Sequence, residues 1–249
     1  MAVNNLFFLT GKTILITGAS SGIGRQTAMM CANLGAKCVI TGRNEDRLNE
    51  TLSSLAGNGH ISIVADISTQ EGIELLAQGV PELDGLVNNA GISINKPISF
   101  YKQEDLNNVF QTNTFAPMML VKALVKKKKM ARGGSIVFTS SVASFHSDLS
   151  NGIYGSSKAA LTAYMHYVAR ELAPKGIRAN AVHPGMIETK LIHGGAISED
   201  DLQKDMQKYP LGRYGKPEEV AYSIVFLLSD ASAWTTGTSL IVDGGLSLL

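Results

Sequence analysis

Short, nearly unbroken apolar runs alternate along the chain with longer stretches in which apolar positions recur every three or four residues. The runs are Thr13–Thr17 (TILIT), Cys38–Thr41, Ile61–Ala65, Leu86–Asn88, Ser135–Thr139 (SIVFT), Arg178–Val182 and Ser239–Val242. They are rich in β-branched residues, and their continuous hydrophobicity predicts strands covered on both faces, as in a parallel sheet. The stretches between them predict helices near residues 23–34, 45–56, 69–79, 103–110, 113–130, 152–173 and 217–229. Strands separated by helices imply right-handed βαβ crossovers. The expected fold is therefore α/β, a doubly wound parallel sheet of seven strands in three αβα layers. No repeat and no Pro/Ser-rich linker divides the chain, so residues 1–249 read as one domain. Two regions break the rhythm: a polar loop at 142–152, and a long Gly-marked segment at 186–215. Both follow the carboxyl ends of predicted strands, where open α/β sheets bind ligands. The second is expected to be a substrate lid, with a variable surface loop as the alternative.

Composition narrows the class. Hydrophobic residues at 45% and charged residues at 17% exclude a disordered chain and a coiled coil. Lys+Arg 22 against Asp+Glu 21 leaves +1, so no basic field calls for nucleic acid. No stretch approaches the ~20 apolar residues of a membrane helix. Met1–Lys12 lacks a basic first region and a cleavage pattern, so no signal peptide and a cytoplasmic location are expected. Cys31 and Cys38, in apolar surroundings, read as buried thiols of a reducing compartment rather than metal ligands.

Candidate chemistry begins where the first strand runs into Gly18-Ala-Ser20-Ser21-Gly22-Ile23-Gly24 and a helix. Glycines permit a tight turn and close approach of a pyrophosphate to a helix N-terminus. The second strand ends at Thr41-Gly42-Arg43 with no carboxylate for a ribose diol. A guanidinium there binds a 2′-phosphate, which predicts NADP(H) over NAD(H). Glu45 and Asp46 nearby could instead neutralise Arg43. Asp66 ends the third strand, placed either to accept from an adenine amino group or to cap the next helix. Asn88-Asn89-Ala90-Gly91 ends the fourth, with small residues to pass a nicotinamide ribose and amides to tie strands.

Tyr154 and Lys158 stand four apart at a predicted helix start, which puts both on one face. An ammonium beside a phenol favours the phenolate and lowers its pKa, so that the phenol can act as acid or base near neutrality. Ser141 ends the preceding strand thirteen residues earlier, with a hydroxyl for a carbonyl oxygen.

Together TGASSGIG at 17–24, NNAG at 88–91, Asn113 in QTNTF, Ser141, YGSSK at 154–158 and His183-Pro184-Gly185 resemble the short-chain dehydrogenase/reductase family. The match runs from about Gly11 to Gly245, in family order. The resemblance implies a Rossmann fold, NAD(P) as cofactor and a tetrad of Asn113, Ser141, Tyr154 and Lys158. Ser141 would position the carbonyl, Tyr154 donate the proton, and Lys158 bond the nicotinamide ribose and lower the Tyr154 pKa. Asn113 would hold a water that refills the proton. Cofactor contacts would come from the Gly turn, Arg43, Asp66, Ile67, Asn89, Ala90, Gly91, Pro184, Gly185, Ile187 and Thr189, besides Tyr154 and Lys158. Family members preferring NADP often carry a basic residue in the Gly turn. Ser21 stands there, so the preference rests on Arg43. His183 reads as structural.

The overall pattern is closest to 3-oxoacyl-(acyl-carrier-protein) reductases of fatty acid biosynthesis. Arg132 and Lys175 match their carrier-docking positions, and Lys126–Lys129 either steers an acidic partner or answers a helix dipole. The polar loop residues Phe145, His146, Ser147 and Asp148 keep a sugar, polyol or other secondary-alcohol dehydrogenase as the alternative. A nucleotide-binding regulator without turnover is disfavoured by the complete tetrad. The resemblance also implies a homotetramer, with Ile224–Leu228 and Leu246–Leu249 packing across subunits.

Overall fold

The computed structural model describes residues 6–189 and 199–248, so part of the expected lid, 190–198, lies outside the described residues. Seven strands form one sheet, parallel at every pairing, in the order β3-β2-β1-β4-β5-β6-β7. They are β1 (Thr13–Thr17), β2 (Lys37–Gly42), β3 (Ile61–Val64), β4 (Leu83–Asn88), β5 (Met130–Thr139), β6 (Arg178–Pro184) and β7 (Ser239–Val242). The helices are α1 (Gly22–Asn33), α2 (Glu45–Ser53), α3 (Gln70–Gly79), α4 (Gln103–Phe110), α5 (Ala116–Lys126), α6 (Gly152–Leu172), α7 (Glu199–Met206) and α8 (Pro217–Leu228).

The apolar runs of β1, β2, β4, β5 and β6 look continuous because both faces are buried, whereas the outer strands β3 and β7 are only partly covered. Leu15, Leu86, Ile136 and Phe138 point into a core shared with α3, α5 and α6. Ile14, Ile16, Val87, Val137 and Val182 point the other way, against α1 and α8. Successive side chains on a strand alternate between faces, so each run feeds two cores. The chain winds outward from β1 to β3, then crosses back to β4 and winds to β7. This reversal opens a crevice at the carboxyl ends of β1 and β4. Thr17 secures that point: its hydroxyl accepts from the backbone N–H of Asn89 (2.9 Å) and Ala90 (3.0 Å).

The expected helix 113–130 is the main departure. A π-helical turn occupies Gln111–Phe115, α5 ends at Lys126, and β5 begins at Met130. The lysine run is consumed by the turn between them. Lys128 takes φ 54°, Lys127 pairs with Glu74 at 2.7 Å, and Lys129 Nζ donates to the Val80 carbonyl at 2.7 Å. Met130 pairs with Leu83 ahead of an irregularity that restores register at Gly85 and Ser135, so the strand starts five residues before its apolar run. Ile224, Val225, Leu227 and Leu228 are buried in this chain's own core rather than offered to a partner. Leu248 is exposed.

Phe138 is fully buried, edge-on to Tyr164 with ring centroids 6.0 Å apart. Phe138→Ala should cost about 3–5 kcal/mol of unfolding free energy through the cavity it leaves, read from urea denaturation at fixed protein concentration.

Candidate active site

Every strand ends at the same edge, and the residues singled out above follow those ends. In the β1–α1 turn, Gly18 takes φ 66° and lies so close to β4 that a Cβ would sit 2.9 Å from Ala90 Cα. A Cβ on Gly24 would fall within hydrogen-bond distance of the Gly18 carbonyl and Asn89 Nδ2, so α1 can approach the strand only with glycine there. Ser21 caps α1 without a side-chain bond to it, and the first turn carries no acidic residue. The leading N–H groups thus keep their partial positive charge for an anion. Thr189 arches over this turn, its Cγ2 3.4 Å from where a Gly22 Cβ would be. These residues fit a pyrophosphate cradle.

Arg43 is exposed and, among the described residues, forms no salt bridge with Glu45, Asp46 or any other carboxylate. Ser20 lies against Gly42, its Oγ 3.4 Å from an ideal Cβ there. Asp66 accepts from the backbone N–H (2.9 Å) and hydroxyl (2.7 Å) of Ser68, the local turn that leads into α3. Burial pushes its carboxyl up, but the Ser68 bonds and the Arg43 charge outweigh this and hold it below the ordinary carboxylate value. The Arg43 guanidinium is thus near enough to Asp66 to act on its carboxylate.

Around β4 and α6 the packing tightens. Lys158 is 3% exposed, donates to the Thr139 carbonyl at 2.7 Å, and stands 5.7 Å from the Tyr154 ring centroid. A Cβ on Gly91 would reach 3.3 Å from its Nζ and 3.2 Å from Asn113 Oδ1. Asn113, in the π turn, clamps Ile92. Its Oδ1 accepts from the Ile92 N–H (2.8 Å), and its Nδ2 donates to the Ile92 carbonyl (2.9 Å) and Ser157 Oγ (3.0 Å). Both amide hydrogens are committed, so a water held by this side chain, the role the resemblance implies, would have to donate to Oδ1. Its geometry is that of a brace between the β4 tip and α6. Insertions of this π kind recur at functional sites.

Ser141 is buried at the β5 tip, where its Oγ accepts from the Ala143 N–H at 3.1 Å. A hydrogen bond joins it to the Tyr154 hydroxyl. The expected tuning of that phenol is reversed. Burial pushes the Tyr154 pKa up, and the bond with Ser141 only partly offsets this. Lys158 does not lower it, because its ammonium is turned to the Thr139 carbonyl and is itself driven down from 10.5 to about 8 by burial. The arrangement presents two hydroxyls to one point beside a poised amine, which suits proton delivery to a carbonyl oxygen.

The polar loop packs along α6, and Asp148 is near enough to Lys208 and Tyr209 to act on both. Phe145, His146, Ser147 and Asp148 line a cavity of about 210 Å³ with Gly152, Gly155, Ser156 and Ala159 of α6. At ~100° per residue those helix positions share one face, and Tyr154 and Lys158 lie on the opposite one. Val142, next to Ser141, instead packs with Leu202, Tyr209, Tyr214 and Leu246. This small apolar core, including α7, closes the site on the side of the expected lid. Nothing in the sequence pattern marks it, because its members are spread over a hundred residues.

A family model described as enoyl-(acyl carrier protein) reductase matches residues 18–247. The 3-oxoacyl-(acyl-carrier-protein) reductase FabG of Rickettsia prowazekii is 36% identical over 241 residues, 97% of this chain and 99% of that protein. A solved structure described as a candidate short-chain alcohol dehydrogenase of Sinorhizobium meliloti superposes with TM-score 0.91 at 31% identity, covering 98% of this chain and 99% of that one. A candidate NAD(P)-dependent gluconate 5-dehydrogenase of Beutenbergia cavernae, with NADP bound at low occupancy, gives 0.89 at 31% identity over the same shares. The chain belongs to the short-chain dehydrogenase/reductase family, a class of oxidoreductases that work with a nicotinamide cofactor.

A buried lysine leaves a stability signature. With its pKa lowered from 10.5 to about 8, the unfolded chain holds more protons than the folded one between those values. Stability therefore rises with pH across that window, and below it the buried charge costs on the order of 3 kcal/mol. Lys158→Met should be more stable than the unsubstituted protein at pH 7, by about 1–3 kcal/mol once the orphaned Thr139 carbonyl is counted. Urea titrations at pH 7 and 10 check this: the gap should narrow at the higher pH.

Proposed function

We propose that the protein is an NADPH-dependent carbonyl reductase acting on 3-oxoacyl thioesters. The observation that carries the carbonyl chemistry is the hydrogen-bonded Ser141 and Tyr154 pair, set beside Lys158 at the carboxyl edge of the sheet. The thioester assignment is supported by the carrier-protein reductases among its relatives. The apolar cluster next to Ser141 favours it further.

In this reading Gly18, Ser20, Ser21, Gly22, Ile23 and Gly24 hold the pyrophosphate, with Thr189 above them. Arg43 takes the 2′-phosphate, Asp66 and Ile67 flank the adenine, and Asn89, Ala90 and Gly91 border the nicotinamide ribose. Pro184, Gly185 and Ile187 line the carboxamide. The bound nicotinamide supplies the hydride. Ser141 donates a hydrogen bond to the substrate oxygen and fixes its place. Tyr154 gives that oxygen its proton, the phenol being kept protonated by its burial. Lys158, near neutrality at about 8, bonds the ribose and hands a proton back to the phenol. Asn113 keeps Gly91 and Ile92 in register with them.

Arg132 and Lys175 are proposed to receive an acidic carrier. The start of β5, which bears Arg132, and the turn that bears Lys175 touch, since a Cβ on Gly176 would lie 3.4 Å from the Gly133 nitrogen. They sit at the amino edge, the length of β5 away from Tyr154, roughly 30 Å at ~3.3 Å per residue. A carrier docked there serves the site of a neighbouring subunit, which agrees with a homotetramer. The buried thiols Cys31 and Cys38, both unpaired with their pKa pushed up by burial, suit the cytoplasm.

A second reading, a sugar or polyol dehydrogenase, is favoured by the likeness to the gluconate 5-dehydrogenase structure. Cofactor absorbance decides between them: acetoacetyl thioester with NADPH should turn over, and a panel of polyols and sugar acids with NAD or NADP should not. Polyol turnover without thioester turnover overturns the first reading. Tyr154→Phe should lower kcat by at least ~100-fold while leaving cofactor binding intact. Arg43→Ala should raise the KM for NADPH about 10–100-fold, the loss of a charge-assisted bond, and leave NADH unchanged.

A further inference from the structure

Directly before Pro184 the chain places an imidazole where nothing in the proposed reaction requires one. His183 is 1% exposed, and both of its ring nitrogens are engaged. Nδ1 lies 3.0 Å from the Ser141 carbonyl oxygen and 3.1 Å from Ser144 Oγ, and Nε2 lies 3.0 Å from Ser239 Oγ. A carbonyl oxygen only accepts, so Nδ1 carries the proton and Nε2 accepts from the Ser239 hydroxyl. Burial pushes this imidazole below its ordinary pKa, and the Lys158 and His166 charges add to that against the bond with Ser141, which agrees with a neutral ring of this tautomer. Phe145 covers it, with ring centroids 5.6 Å apart.

The ring therefore spans three elements: its own strand β6, strand β7 through Ser239, and the tip of β5 through Ser141. The Ser141 carbonyl receives two further bonds, from the Ser144 N–H (3.0 Å) and hydroxyl (2.7 Å). Those two come from within the same short turn and cannot anchor it to the sheet. The Ser140 N–H already bonds the Val182 carbonyl of β6 at 2.9 Å, and the imidazole carries that anchorage on to the Ser141 carbonyl and across to β7. The serine hydroxyl itself is within 3.5 Å of the Pro184 carbonyl, the residue after His183, so a shift here moves both walls of the serine at once.

Taking Ser141 as the group that holds the substrate oxygen, we propose that His183 is a positioning residue whose Nδ1–H fixes the Ser141 peptide and so aims the Ser141 hydroxyl toward Tyr154. It touches neither substrate nor cofactor. A histidine that merely filled the core would be replaced equally well by any polar side chain of its size. A positioning histidine needs its donor at one ring position.

Two amides separate these. In His183→Asn the side-chain N–H stands at the place of Nδ1; in His183→Gln it stands at the place of Nε2. Steady-state kinetics on the folded enzyme, cofactor affinity by nucleotide fluorescence, and thermal midpoints are measured for both and for His183→Ala. The Ala and Gln variants should lose about 10–100-fold in kcat, the scale of a misplaced reacting group, with cofactor affinity within about twofold of the unsubstituted protein. The Asn variant should recover most of that loss even where its thermal midpoint equals that of the Gln variant. Equal kcat for Asn and Gln, or losses that simply follow the thermal midpoint, overturn the proposal. Should Ala fail to fold, the Asn and Gln pair still decides. Ser141→Ala tests the underlying reading separately: if it retains full activity, Ser141 is not the anchor, whatever the His183 series shows.

Discussion

All the chemistry proposed for this chain depends on one constraint of parallel sheets: strands joined by right-handed crossovers bring their carboxyl ends to one edge. Residues far apart in sequence then meet without any of them seeking the others. Gly18 and Ala90 approach so closely that a methyl group would not fit between them, and Thr17 bonds the backbone of both Asn89 and Ala90. At that seam a turn of glycines, a bare helix end and a narrow strand tip face the same space. The site is thus a consequence of topology first and of side-chain choice second.

The second layer is electrostatic. An ammonium at 3% exposure is costly to fold, and the single carbonyl it bonds does not compensate for lost water. Its pKa falls to about 8 as a result. The same burial raises the neighbouring phenol. The two groups are pushed apart in proton affinity, the phenol held protonated and the amine ready to release. Stability is given up at Lys158 and recovered in the two apolar cores that the seven strands separate, a division common where activity and folding compete.

The fold was largely legible in the sequence because doubly covered strands leave a continuous apolar run, as in β1, β2, β4, β5 and β6; the outer strands β3 and β7 carry β-branched runs although they are only partly covered. What escaped was set by contacts without a period. The helix expected over 113–130 breaks at a π turn because Asn113 and Thr114 bond α6 rather than their own helix. The start of β5 lies in polar residues, Ala131–Gly134, that join the strand only because Met130 reaches Leu83. At the site, residue types and spacing were enough to assemble Ser141, Tyr154 and Lys158. They did not reveal where the lysine would point. An i, i+4 spacing puts two side chains on one face, and whether the ammonium meets the phenol or the Thr139 carbonyl is decided by the strand beneath. For the same reason Asp66 was ambiguous until Ser68 was seen to hold it.

Polarity in sequence proved a poor guide to polarity of the site. The loop after Ser141 reads as hydrophilic; Gly155 lets α6 come within reach of the Ala143 carbonyl, and the loop packs along that helix with Asp148 toward Lys208 and Tyr209. What borders Ser141 is Val142, drawn into a small apolar core with two tyrosines and a leucine of α7. Those tyrosines are tethered: Tyr214 donates to Asp205 at 2.9 Å, and Tyr209 accepts from the Met186 N–H at 3.2 Å. The segment after β6 is therefore joined to the residue beside the anchor serine by packing, and to the Gly turn by Thr189. Substrate access and cofactor enclosure share one piece of chain, so any change that loosens the apolar cluster at Val142 will be felt at both.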